Sequence, residues 1–259
     1  MEPIYTTEVT KIKGKKIFKS EDTLIREIKL DIVVNGDKIG SLMATPVDQE
    51  ALSIGYLRAE NIISDIKDIS DIKLLNDGMR VEIEAKTDKK SIEKLNSEGV
   101  VISGCGRGMS SHVDPSEIEA KVIKSNFSIK AEQLLNSMST FYTQCPLYEK
   151  TGCVHTAKLY IDENNYFIGE DIAQHNTIDK AVGKAMMKGA QFSSSFLMVS
   201  GRLSSEMVAK AVMHGIPILA SRTASTCLGV KIAEKFGLTL IGFVRGDRMN
   251  IYENPQRIV

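Results

Sequence analysis

The segment Val101-Ile102-Ser103-Gly104-Cys105-Gly106-Arg107-Gly108-Met109-Ser110 sets one thiol among three glycines. It follows a short apolar run and has no helical or strand periodicity of its own. Glycine permits positive φ and close approach to the main chain, so Cys105 reads as a thiol on an uncrowded loop tip. Arg107, two residues on, could stabilise the thiolate, the nucleophilic form of cysteine. The plainer alternative is a glycine-rich turn with an incidental, half-buried cysteine.

A second group lies nearer the C-terminus. Three short apolar segments, at 196–199, 216–220 and 240–244, run into Ser200-Gly201-Arg202, Ser221-Arg222-Thr223-Ala224-Ser225 and Arg245-Gly246-Asp247-Arg248. If they are adjacent parallel strands, four arginines, several hydroxyls and two helix N-termini converge on the edge where open α/β sheets bind ligands. Helix N-termini attract anions, and arginine adds forked donors suited to phosphate. From Ser200 onward there are eight Lys/Arg against four Asp/Glu. Loop arginines are commonly solvated, but three in register at strand ends favour a phosphate-bearing ligand. Neither a G-x-G-x-x-G after a strand nor a G-x-x-x-x-G-K-[ST] is present.

Other reactive residues are more ambiguous. His175, at a helix entrance before Asn176, is either a capping histidine or one that faces a ligand. Cys153 and His155, two apart on a strand entrance, can share a face and act as nucleophile and base. Asp179 reads as a helix-cap partner, and Cys145 and Cys227 as small buried residues. No C-x-x-C occurs, and histidines 112, 155, 175 and 214 lack ligand spacing, so no metal site is expected. The H-x-E and P-C-x-x-C elements of a zinc nucleobase deaminase are missing.

The elements that must position these groups follow from periodicity. The first ten residues read as a loose tail. Residues 23–34 alternate as one half-buried strand, Asn35-Gly36 makes a hairpin, and 39–44 returns. Asp48 is the expected N-cap of a helix burying Leu52, Tyr56, Ala59 and Ile63. Residues 72–75 and 79–85 flank a second hairpin at Asp77-Gly78, and 87–96 is a charged connection. Asp114-Pro115 with Glu117 predicts a helix start. A further helix spans about 129–142, ended by Cys145-Pro146, and two strands flank Asn164-Asn165. Asn176 is the expected cap of a helix carrying Ile178, Val182 and Met186. The strand–helix alternation beyond it implies right-handed crossovers and parallel strands. The fold class is therefore α/β, with a small α+β domain (residues 1–110, ending in the Cys105 loop) before an α/β domain (residues 111–259).

Composition fits this reading. The chain has 259 residues, 42% hydrophobic and 25% charged, with no formal net charge. Nothing global points to nucleic acid or a membrane surface, and no apolar run could span a bilayer. The N-terminus lacks the regions of a signal peptide, and four cysteines without framework spacing fit a reducing cytoplasm.

Taken together, several stretches resemble the FdhD family of formate dehydrogenase accessory sulfurtransferases. They are Val34-Asn35-Gly36, Leu42-Met43-Ala44-Thr45-Pro46, Ile54-Gly55-Tyr56-Leu57 before Glu60, the Cys105 loop, and Thr151-Gly152-Cys153-Val154-His155. Glu170-Asp171 with His175-Asn176 and Asp179-Lys180, Ser200-Gly201-Arg202, Gly215-Ile216-Pro217, and Gly242-Phe243-Val244-Arg245-Gly246-Asp247-Arg248 complete the set. The resemblance implies a cytidine deaminase-like α/β/α layered domain without zinc, and a homodimer. It implies that a cysteine desulfurase gives persulfide sulfur to Cys105, which passes it to the molybdenum (or tungsten) bis-guanine-dinucleotide cofactor of formate dehydrogenase. Phe243, Val244, Arg245, Gly246, Asp247 and Arg248 would then bind that cofactor, with Arg202, His175 and Asn176.

Two positions depart from the family pattern. The loop commonly reads C-G-x-C, and Gly108 stands here for the second cysteine. T-G-G-x-H reads Thr151-Gly152-Cys153-Val154-His155, which adds a thiol that could substitute for it. Two other functions remain open: a non-catalytic chaperone that carries the guanine-dinucleotide cofactor to an apoenzyme, and a small-molecule enzyme using Cys153 and His155.

Overall fold

In the computed structural model, residues 1–88, 90–93, 102–103 and 115–259 are described. Cys105 and its glycine loop lie outside the described residues.

The N-terminus is not a loose tail. Strands β1 (Ile4–Lys13) and β2 (Lys16–Ile25) pair antiparallel from Ile4↔Ile25 to Lys13↔Lys16. β1 is rich in β-branched residues, from Ile4 to Ile12, and Gly14 turns the chain at φ +62°. The stretch read as a single strand at 23–34 is divided: β2 ends at Ile25 and β3 (Ile28–Val34) starts after Arg26, whose amide donates to the Pro3 carbonyl.

Strand β3 joins β4 (Asp37–Ala44), β5 (Ile69–Leu75), β6 (Arg80–Ala85) and β7 (Ile102–Ser103) in a sheet ordered β5-β6-β3-β4-β7. Both expected hairpins form. Asn35 and Gly36 take φ 51° and 86°, the doubly positive pair that a two-residue hairpin loop favours. Helix α1 (Gln49–Ala59) is almost wholly buried. Asp48 sits at its N-cap with φ 56° and makes no capping bond; its carboxylate pairs with Lys184 at 2.5 Å instead.

The second sheet holds β8 (His155–Tyr160), β9 (Tyr166–Asp171), β10 (Phe196–Val199), β11 (Ile218–Ser221), β12 (Thr239–Arg245) and β13 (Arg248–Glu253), ordered β13-β12-β11-β10-β8-β9. The three strands expected to be parallel, β10 to β12, are so. Its helices are α2 (Ala131–Ser139), α3 (Pro146–Thr151), α4 (Gln174–Met187), α5 (Ser205–Met213) and α6 (Cys227–Phe236). Strand side chains alternate between two cores, as period two requires. Leu159, Leu197, Leu219 and Leu240 meet the faces of α4, α5 and α6. Tyr160, Phe196, Met198, Ile218 and Ile241 meet Leu134 and Met138 of α2. Helices thus cover both faces of this sheet.

Two helix starts differ from expectation. Pro115–Glu117 is one 3-10 turn. The helix expected from 129 begins at Ala131 because Ile129 is held extended, bridged to Ile258.

Helices α1 and α4 cross with backbone nearly touching backbone. A Cβ on Gly55 would strike the Asp179 carbonyl, and one on Gly183 the Ala51 carbonyl. One apolar core therefore runs from β3, β4 and α1 through α4 to the second sheet.

Candidate functional site

The carboxyl ends of β10, β11 and β12 are tied to one another. Ser221 Oγ donates to the Gly201 carbonyl at 2.7 Å and accepts from Thr223 N at 3.0 Å. Phe243 N donates to the Thr223 carbonyl at 3.0 Å, and Arg245 Nε to the Arg222 carbonyl at 2.7 Å. Helices α5 and α6 open on this edge, capped by Ser204 and Thr226. Arg202, Arg245 and Arg248 are exposed and Arg222 is partly buried. Among the described residues none of the four is paired with a carboxylate. The edge therefore gathers guanidinium groups that have no carboxylate partner among the described residues beside two helix N-termini, which suits an anion with several charged oxygens.

The arginine-rich end of β12 is a hairpin and not an open loop. Arg245 pairs with Arg248 across Gly246-Asp247, and Gly246 turns at φ +58°. Phe243 occupies a bulge with φ 51°, uncommon for a bulky residue. The bulge places its ring outside, 5.9 Å from the Arg245 guanidinium, while Val244 is wholly buried. Gly242 is needed there, since a Cβ would meet the Tyr252 ring and the Thr223 carbonyl. Arg222 lies 5.6 Å from the centre of the Tyr142 ring, which stacks on Tyr148 at 4.0 Å.

A histidine group adjoins Arg202. His155 Nδ1 is 3.3 Å from Ser200 Oγ, which also accepts from Thr156 N at 3.0 Å. Burial, then the positive charges of His175 and Arg202, hold the His155 imidazole below its ordinary value. It is thus neutral at pH 7 and able to accept a proton. His175 Nε2 lies 2.6 Å from Glu206 Oε2, and this bond keeps the Glu206 carboxyl low. Gln174 Nε2 donates to the Arg202 carbonyl at 2.7 Å, and only glycine at 201 leaves room for that side chain. Cys153 is exposed, two residues before His155.

Asn176 does not cap α4; Ala173 holds that position. The Asn176 amide is buried and donates to the Met43 carbonyl at 2.9 Å and Asp171 Oδ1 at 3.0 Å. Its side chain joins β4 to α4 and is not turned to the open edge. Behind it, the wholly buried Asp171 and Lys180 pair at 2.6 Å. Asp171 also accepts from Thr45 N and Ala173 N. Asp179 is not a cap partner: it lies inside α4 and pairs with Lys210 at 2.7 Å. Periodicity did not point to Asp171, Lys180, Lys210 or Glu206. The available sign was Asp179-Lys180 set within the apolar run Ile178, Ala181 and Val182, since such charges must be paired.

Cys145 is buried, as expected, and its thiol is pushed up to about 11. Cys227 is exposed, contrary to expectation, because it opens α6 on the solvent side. Among the described residues no three His, Cys, Asp or Glu side chains are grouped to hold a metal. No helix among them is long and apolar enough to cross a membrane.

The FdhD/NarQ family profile matches residues 25–259. The chain belongs to this family. Sulfur carrier protein FdhD of Wolinella succinogenes is 39% identical over 240 residues, covering 93% of this chain and 84% of that one. The protein of the same name from Saccharolobus solfataricus is 32% identical, with 97% and 96% covered. A crystal structure described as that of a formate dehydrogenase accessory protein from Desulfotalea psychrophila superposes with a TM-score of 0.82 at 25% identity, covering both chains fully. The FdhD/NarQ match begins where β2 ends, so the β1–β2 ribbon lies outside it.

Proposed function

We propose that the protein is a sulfur carrier in the maturation of formate dehydrogenase, with Cys105 as the carrying thiol. The observation that carries this reading is the array of arginines, without a carboxylate partner among the described residues, at the ends of β10 to β12, in a chain of the FdhD/NarQ family. In the loading step the Cys105 thiolate attacks the outer sulfur of a cysteine desulfurase persulfide. The desulfurase thiolate leaves, and a Cys105 persulfide results. In the second step the outer sulfur passes to the substrate, the molybdenum (or tungsten) bis-guanine-dinucleotide cofactor, and the Cys105 thiolate is restored. The loading step needs no external oxidant, because sulfane sulfur changes only its partner; in the second step the S–S bond breaks with its electron pair staying on Cys105, and the two electrons that bring the delivered sulfur to the sulfide level come from the metal of the substrate or from an external reductant.

Each residue has a part. Arg202, Arg222, Arg245 and Arg248 hold pyrophosphate oxygens, and the outward Phe243 ring offers a face to a guanine. Neutral His155 takes up a proton at this edge, held by Ser200. His175, fixed by Glu206, adds a donor. Asn176 acts indirectly, by fixing Met43. Ser103 of β7 pairs with Leu42, one residue before Met43. A cysteine desulfurase, the formate dehydrogenase catalytic subunit and a second copy of the chain are the partners of this reading, and the cytoplasm its setting.

Intact-protein mass after incubation with a cysteine desulfurase and cysteine tests it. A thiol-reducible gain of one sulfur, lost in Cys105→Ala, is expected. A gain that persists in Cys105→Ala moves the chemistry to another thiol, Cys153 first. No gain, with guanine-nucleotide binding intact, overturns the carrier reading in favour of a cofactor chaperone.

A further inference from the structure

Three lysines are buried in the described structure: Lys158, Lys180 and Lys210. Lys180 and Lys210 each meet a carboxylate, at 2.6 and 2.7 Å. Lys158 is only 2% exposed and meets none among the described residues. Its ammonium donates to the Thr143 carbonyl at 2.7 Å and lies over the Tyr166 and Phe141 rings at 5.0 and 5.9 Å. An ammonium has three donors, so two of them have no acceptor among the described residues. The carboxylates that act on it from further off are Glu170 and Glu149. Both Glu170 oxygens are taken by the amides of Leu147 and Tyr148, at 3.2 and 2.8 Å.

Burying an unpaired charge is unfavourable by several kcal/mol, roughly, unless something compensates it. The space beside Lys158 offers that compensation. A cavity of about 450 Å³ opens there between α2 and the β8–β9 hairpin, within the size range of small-molecule sites. Ser137, Thr140, Thr143 and Gln144 supply hydroxyl and amide groups along one wall, and Tyr160 and Tyr166 form the other. Glu163, at the rim, is exposed and free to turn to solvent. None of the four edge arginines lines the cavity: Lys158 and Tyr160 pair with Met198 and Phe196 of β10, whereas that edge lies beyond Val199.

We propose that Lys158 anchors a small anion in this cavity, a carboxylate or a phosphate carried on a compact molecule. The charge meets the two free N–H donors, and the tyrosine rings cover the remainder. The site is separate from the sulfur-transfer edge and does not depend on that reading.

The test follows the Lys158 side-chain resonance in protein labelled with 15N-lysine, assigned by its loss in Lys158→Met. Sodium phosphate and sodium acetate are titrated separately at ionic strength held constant with sodium chloride. A saturating shift of this resonance, absent from the other lysines, is expected. Saturation by phosphate alone, acetate alone or both identifies which anion the site takes. Asn136→Asp changes an exposed helical side chain on the cavity wall and leaves the fold untouched. It adds a carboxylate to the wall of the cavity that Lys158 also lines and weakens anion binding about tenfold or more, equivalent to about 1.4 kcal/mol. A linear shift shared by all lysines, or a saturating one unchanged in Asn136→Asp, overturns the proposal.

Discussion

Lys180→Met tests the buried ion pair that locks the two sheets together. Lys180 and Asp171 are both fully buried and 2.6 Å apart. Lys180 also donates to the Thr45 and Glu170 carbonyls, at 3.1 and 3.0 Å. Methionine has nearly the same length, so packing is kept while the charge and three bonds are lost. The Asp171 carboxylate keeps the amides of Thr45, Ala173 and Asn176 but has no counter-charge. Breaking such a pair costs about 3–5 kcal/mol, a third or more of a typical domain stability of about 5–15 kcal/mol. Urea denaturation should show the midpoint falling at unchanged slope. Asp171→Asn added to Lys180→Met removes the stranded charge, so the double variant should be more stable than the sum of the singles by about 2 kcal/mol. A loss below about 1 kcal/mol, the range of a surface pair, or strict additivity in the cycle, refutes the reasoning.

Other outcomes follow from single sites. Gly183→Ala forces a methyl into the Ala51 carbonyl and should cost about 1–3 kcal/mol or more, measured by chemical denaturation. Stability should fall as pH drops below about 6.5, where an unfolded imidazole gains its proton. Burial holds folded His214 and His155 below that value, so the unfolded chain binds more protons there and is favoured. His214→Gln should flatten the profile, since no hydrogen bond reaches either ring nitrogen and Asp179 is 3.6 Å away. Phe243→Gly relieves a left-handed side chain, about 1–2 kcal/mol, against a backbone entropy loss of about 0.5–1 kcal/mol. Stability should change little while guanine-nucleotide affinity, by calorimetry, falls. Iodoacetamide should modify Cys153 and Cys227 in the native protein and spare Cys145, as peptide mass mapping would show.

Much of the site was legible along the chain because its features are local. The hairpins at Asn35-Gly36 and Asp77-Gly78, the parallel order of β10, β11 and β12, and the arginines just past their ends follow from turn chemistry and from short apolar segments alternating with helices. Strand polarity then fixes which end of each segment carries the arginines. What escaped was of two kinds. The β1–β2 ribbon has little burial to mark it: it is held by cross-strand pairs that no single strand displays, such as Lys11 with Asp22 and Lys19 with Glu8. Buried polar residues whose partners are distant in sequence show no local sign of those partners. Asp179 looked like a cap because its partner, Lys210, is 31 residues away on another helix. Asn176 looked open to a ligand because Met43, 133 residues away, is brought to it only by the α1–α4 crossing. Backbone conformation and local patterning are set by neighbours in the chain, so the sequence alone determined most of the elements, the β1–β2 ribbon apart, and the residue types at their ends. Which charges are buried, which thiol faces water and which lysine lacks a counter-ion depend on desolvation by elements from elsewhere in the chain, and only the tertiary structure decided them.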